Sequence, residues 1–262
     1  MSLIVYVLVV IYGIISIFLG VGPAIIFALW KYGIKGKLWF AWFLGGLFWF
    51  LALLSRLTLL ILISSIPETA PYRIFIGALF AGVFETSFRV LVIFLVTKFT
   101  ANTAEKIYMT GLGWGTVEAF VVHTLALLSI IFLPYDNEII VSLDDVEYAL
   151  LFGGYERIIV EIFHLYLFIL VFYGIKHKLK KIEQSKPILE NFFTKDPKPL
   201  WIWIIIVAVI HFAFDFFFVS LAYVIDIITL YLIGTAIIGL LATYVSNKVR
   251  YYPLFPEKIL EK

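Results

Sequence analysis

The stretch LFAGVFETSFRVLVIF, Leu79 to Phe94, sets Glu85 and Arg89 into a run that is otherwise mostly apolar. A charge at the centre of a bilayer costs at least ~2.5–3.5 kcal/mol on insertion scales. Either the segment lies outside a membrane, or something the chain needs offsets that cost. The composition decides between the two. Of 262 residues, 63% are hydrophobic and 18% aromatic, and the mean hydropathy is +1.05. Soluble domains run about 45–50% apolar, so the excess points to a polytopic membrane protein. There is no cysteine, which excludes disulfides, thiolate metal ligands and a cysteine nucleophile.

A helix needs about 20 apolar residues to cross a ~30 Å hydrocarbon core. Seven runs qualify, near 3–30, 38–64, 72–97, 107–133, 148–175, 199–221 and 225–247. The expected fold is therefore an all-α bundle of about seven transmembrane helices, a single domain over 1–247 with a tail at 248–262. The first run lacks a basic leader and a small-residue cleavage site and reads as a retained span. Gly22-Pro23 marks a kink within it. The boundary near Asp226, read as a helix cap, is the weakest.

Charge in the loops gives an orientation. Lys31, Lys35, Lys37, Lys98 and Lys106 fall on one side of a seven-span arrangement. So do the seven lysines from Lys176 to Lys198 and the basic tail. The opposite side holds Arg73 and an acidic loop with Asp136, Glu138, Asp144, Asp145 and Glu147. Cytoplasmic loops carry the Lys/Arg excess, so the N-terminus is expected outside and the C-terminus in the cytoplasm of a cell-membrane protein. The tail NKVRYYPLFPEKILEK reads as an amphipathic segment on the anionic inner leaflet or, equally, as disordered.

The charges left inside the spans carry the functional information. They are Arg56, Glu85, Arg89, Glu118, His123, Glu156, Arg157, Glu161, His164, His211 and Asp215. Residues three or four apart share a helix face. Glu85/Arg89, Arg157/Glu161, Glu161/His164 and His211/Asp215 are such pairs. At ~1.5 Å per residue, Glu85 lies roughly 20 Å from its span's end and Glu118 roughly 17 Å from its own, so several spans place ionisable groups in one layer. Such groups face a bundle interior or a wet cavity. The pairs also read as structural ion pairs, Arg56 as a tie between helices, His123 as a packing histidine facing elsewhere, and His177 as solvated. His164 and His211 differ: each sits mid-span beside a carboxylate at helical spacing. Imidazole and carboxylate are the donors zinc accepts without thiolates.

Four stretches, in order, resemble the YhfC family of intramembrane metalloproteases, distant relatives of the CPBP group that includes the CAAX prenyl endopeptidases. GVFETSFR (82–89) resembles the family's G-x-F-E-E-x-x-R, and GLGWGTVEA (111–119) its G-x-G-H-G-x-x-E-A. YERIIVEIFH (155–164) resembles its E-R-x(6)-H helix, and HFAFD (211–215) its H-x-x-x-D. The resemblance implies Glu85 as general base, Arg89 as a positioning group, and His164 and His211 as ligands. It implies Asp215 as a ligand or an oxyanion-side partner. Glu118, Glu156, Arg157 and, by spacing, Glu161 form a supporting shell. The implied cofactor is a divalent metal, zinc by its donors. The implied partners are a membrane peptide or protein as substrate and the bilayer itself, with no nucleic acid. Two positions depart. Thr86 replaces the second glutamate, and Trp114 replaces a histidine, although an indole N–H cannot ligate. Three readings follow: a metal-dependent intramembrane peptidase, a non-catalytic membrane scaffold or binding subunit on the same fold, and a transporter or proton pathway.

Overall fold

The computed structural model describes residues 3–62, 64, 66, 71–98, 104–132, 146–182, 198–222 and 224–248. The acidic loop at 136–145, most of the linker after the fifth span and the tail beyond Lys248 lie outside them. Every regular element among the described residues is helical. They are α1 (Leu3–Tyr32), α2 (Gly36–Leu62), α3 (Pro71–Lys98), α4 (Ala104–Glu118), a π-helical segment (Ala119–Thr124), α5 (Leu125–Ile131), α6 (Val146–Ile182), α7 (Lys198–Leu221) and α8 (Ile227–Lys248). Six stretches are long and apolar enough to cross a membrane: Tyr6–Tyr32, Gly36–Leu62, Pro71–Val96, Glu105–Ile131, Leu150–Ile175 and Trp201–Leu221. Helix α8 offers a shorter apolar stretch, Ile228–Tyr244.

The surface is the reverse of a soluble protein's. Ile14, Phe18, Trp201, Ile205 and Val209 are exposed, while Arg89, Glu85, His164 and His211 are buried. Contiguous exposed apolar surface of this kind seeks a nonpolar solvent, and helices alone keep their backbone groups bonded there. The protein is a membrane protein on this pattern.

Helix α6 is the central rod. Its span is 78% buried, against 50% or less for the other five, and it packs against α1, α4, α7 and α8. It also runs on to Ile182. The stretch carrying Lys176 to Lys181, expected as loop, is therefore helical backbone. Good helix formers in the lysine-rich sequence let the helix continue past the apolar run.

Glycines set how closely the rods approach. A Cβ on Gly113 of α4 would fall 1.9 Å from the Trp42 carbonyl oxygen of α2, and one on Gly45 of α2 would fall 2.0 Å from the Thr110 oxygen of α4. Backbone there lies on backbone. A Cβ on Gly115 would sit 2.9 Å from Cα of Glu161 on α6. The GLGWG tract thus presses α4 against two neighbours at once, the small-residue packing by which membrane helices associate. Helix α1 continues through Pro23. Asp226 caps α8, its Oδ1 accepting from the Thr229 N–H at 2.9 Å.

Gly113→Ala and Gly45→Ala are expected to cost about 3 kcal/mol or more, since backbone cannot yield. Gly77→Ala, whose Cβ meets nothing within 4 Å, is expected to stabilise α3 slightly. Thermal unfolding in detergent distinguishes these directions. The Thr229 N–H holds the Asp226 carboxyl below its ordinary range. Protection of the Thr229 amide in hydrogen exchange is therefore expected in full above pH ~3.9, the ordinary Asp value, and is lost as pH falls through the lower folded value.

Candidate metal centre

Five helices supply the polar layer: Arg56 from α2, Glu85 and Arg89 from α3, Glu118 from α4, Glu156, Arg157, Glu161 and His164 from α6, and His211 and Asp215 from α7. Arg89 is at its centre, with no exposed surface. Its Nη1 donates to His211 Nδ1 at 3.1 Å. Its Nη2 donates to His164 Nδ1 at 2.5 Å and to Glu85 Oε2 at 3.1 Å. The face of Trp114 lies beneath the guanidinium, with Cζ 4.7 Å from the ring centroid. A desolvated cation over an indole gains ~2 kcal/mol or more. Where the family resemblance implies a ligating histidine, this chain has an aromatic floor for its arginine.

The donor inventory fixes the imidazoles. Arginine only donates, so both Nδ1 atoms accept and both Nε2 atoms carry the proton. His164 Nε2 is 2.6 Å from Glu118 Oε2. The contact is short but off-axis, and that oxygen has no well-aligned donor. His211 Nε2 lies 3.4 Å from Asp215 Oδ2 and 3.7 Å from Glu85 Oε2. The rings stand nearly perpendicular, 5.5 Å apart, and Phe163 touches both.

Around this centre the ion pairs form a chain. Arg56 Nη1 donates to Glu85 Oε1 at 2.8 Å. Arg157 Nη1 is 3.8 Å from Glu118 Oε1, and its Nη2 donates to Glu156. Arg56 is thus part of the site as well as a tie between α2 and α3. Glu161 is packed where α6 crosses Gly115 and its Oε1 is buried without an aligned donor, while Arg157 on the same helix is close enough to attract its carboxyl. Thr86, where the resemblance implies a second glutamate, is buried with its hydroxyl unpartnered.

One donor atom from each of Glu85, His164 and His211 lies within 4.8 Å of the others, all three residues being buried. Two imidazoles and a carboxylate form a donor set that zinc hydrolases use, so the residues fit a divalent ion. Asp215 stands on the Nε2 side of His211 and not within this group, a place from which a carboxylate orients an imidazole. The layer holds three guanidiniums and five carboxyls. Two protons or one divalent cation would balance it. Exposure rises toward one end: the side chains of Asp215 and Glu156 are 30% and 26% exposed, those of the two histidines 2%. The acidic rim lies toward the ends at which α2 and α7 stop and α3 and α6 start.

His123 belongs elsewhere. Its Nε2 is 2.9 Å from Ser16 Oγ, and the Ser16 hydroxyl donates to the Leu150 carbonyl. The serine therefore accepts from the imidazole, and the pair is not a nucleophile with its base. It clamps α1 to the π-helical segment through His123 and to α6 through Leu150. The π-helical segment, closed by Leu125 N–H to the Phe120 carbonyl, turns His123 toward that clamp. Sequence periodicity carries no signal for the inserted residue, for Ser16 or for Phe163.

Breaking the network at Glu85 leaves two guanidiniums sharing a lost partner. Glu85→Gln is expected to destabilise by about 3–5 kcal/mol. Glu156→Gln, at the partly exposed rim, is expected to cost under ~1 kcal/mol. Thermal denaturation of both variants in one detergent tests the contrast.

No protein-family model matches this chain, and no curated protein sequence matches it either.

Proposed function

We propose that the chain is an intramembrane hydrolase acting on a membrane-embedded or membrane-surface peptide, with a divalent ion, zinc by donor type, held by Glu85, His164 and His211. The observation that carries this reading is the convergence of those three donors from separate helices in a buried, acid-rich layer. The ion supplies Lewis acidity toward a scissile carbonyl and toward water. The general-base role that the resemblance gives to Glu85 passes, with Glu85 a donor to the ion, to Glu118, whose Oε2 lies 2.6 Å from His164 Nε2: it takes the proton that leaves water and passes it to the departing amine. Asp215 fixes His211 through Nε2, and the Arg89 guanidinium steadies negative charge that develops beside it. The resemblance to the YhfC family agrees with this reading. So does a seven-span arrangement with α8 as the last span, N-terminus outside and C-terminus in the cytoplasm of the cell membrane. Lys31, Lys35, Lys37 and Lys106 at one end of the bundle and Arg73 near the other favour that orientation. The acidic rim then faces outward.

One observation favours a second reading. Both Nδ1 atoms already accept from Arg89, so a metal ion and the guanidinium compete for the same lone pairs. On that reading the arginine is the resident cation and the protein is a non-catalytic scaffold or binding subunit.

Zinc titration by calorimetry separates the two. The hydrolase reading expects stoichiometric zinc with release of protons, binding abolished by His164→Ala and His211→Ala, and affinity reduced about 10–100-fold by Asp215→Asn. Cleavage of a transmembrane peptide is expected to vanish in Glu118→Gln. Zinc that fails to bind, or binds equally to the histidine variants, leaves the scaffold reading standing.

A further inference from the structure

At the end of the bundle opposite the acidic rim, the first turns of α2 and α4 and the last of α3 enclose a cleft of about 270 Å³. Phe40 and Leu44 of α2 and Leu95 and Val96 of α3 line it, together with Lys37 and Lys106. Lys37 stands close enough to Lys106 to repel its charge, and Glu105 close enough to attract it. Lysines at the ends of membrane helices ordinarily snorkel, burying the stem and leaving the ammonium in water. Lys37 is exposed in that way, but Lys106 is only 7% exposed. It is packed into the cleft wall, in the first turn of α4.

We propose that this cleft is a binding site for an anionic phospholipid. The three helices enter or leave the apolar layer at this level, so the cleft lies at headgroup depth. Phe40, Leu44, Leu95 and Val96 give an apolar slot for the start of an acyl chain. The stems of Lys37 and Lys106 line the same slot, and the phosphate sits at its mouth beside their ammonium groups. Two ammonium groups over an apolar slot complement an anion that carries a hydrocarbon tail, and neither a zwitterionic lipid nor a free anion matches both halves. Lys31 and Lys35 stand at the same end but do not line the cleft. The site is remote from the Glu85–His164–His211 centre and does not depend on the activity proposed for it.

The test is native mass spectrometry of full-length protein released from vesicles of phosphatidylcholine, alone or with a minority of phosphatidylglycerol. Wild type is expected to retain phosphatidylglycerol in preference to phosphatidylcholine. Lys37→Gln and Lys106→Gln are each expected to lower that preference about fivefold, the equivalent of ~1 kcal/mol per lysine near an anionic surface. Lys35→Gln, on the same end but off the cleft, is expected to leave it unchanged. Inorganic phosphate in excess is expected not to displace the lipid. Equal retention of both lipids by wild type overturns the proposal. So does a loss with Lys35→Gln as large as with Lys37→Gln, which would reveal a diffuse field and no site. Displacement by phosphate overturns the lipid as the ligand. Lys37 is exposed, so its variant keeps the test valid even if Lys106→Gln fails to fold.

Discussion

A guanidinium with no exposed surface, in the middle of a membrane bundle, governs this structure. Arginine stays charged in proteins, and bringing a charge out of water costs several kcal/mol even after relaxation. Arg89 therefore needs acceptors from every direction it donates. Glu85 gives one from its own helix, and His164 and His211 give theirs from α6 and α7. Trp114 of α4 closes the open face. Four helices are thereby fixed in register by one side chain, and the two imidazoles are fixed in tautomer by the same bonds.

That arrangement demands close helices. A guanidinium reaches only a few ångströms, so α4 must approach α6 and α2 more nearly than ordinary side chains allow. Gly45, Gly113 and Gly115 provide the approach by removing Cβ from the crossings. In lipid no hydrophobic force drives helix to helix, so packing and polar bonds carry association. The glycine contacts and the Arg89 network therefore support one another. Each is weaker without the other, because a looser crossing would strand the charge. Several buried polar atoms in and beside the layer, among them Arg89 Nε and Trp114 Nε1, have no hydrogen-bond partner among the described residues, and such atoms are the kind that ordered water or a bound ligand satisfies. They leave the chamber polar and chemically unfinished, which suits a binding site better than a plain structural knot.

The polar layer was legible because charges in apolar runs are costly and rare. Glu85/Arg89 and His211/Asp215 pair at helical spacing in the sequence and in space. Spacing within one helix says nothing about reach between helices, however. Arg157 and Glu161 share a face by count, but count did not reveal that Arg157 also reaches Glu118 on α4 and its neighbour Glu156. Trp114 read as a missing ligand, since only the fold sets Arg89 above it. The π-helical turn after Glu118 was invisible for the same reason: an inserted residue is stabilised by what the widened turn touches, here the Ser16–His123 clamp. Apolar length likewise marked the spans but not the continuation of α6 into its lysine-rich end.

The central claim is that Arg89 bridges both imidazoles at the heart of the bundle. Dipolar recoupling by solid-state NMR measures it directly in lipid, on chelator-treated protein with carbon-labelled arginine Cζ and nitrogen-labelled histidine rings. The account predicts strong coupling of one Cζ to two imidazoles, halved in His164→Ala and in His211→Ala and absent in Arg89→Lys. Cζ signals with no coupling to any imidazole would contradict it, because the guanidinium would then lie away from both rings.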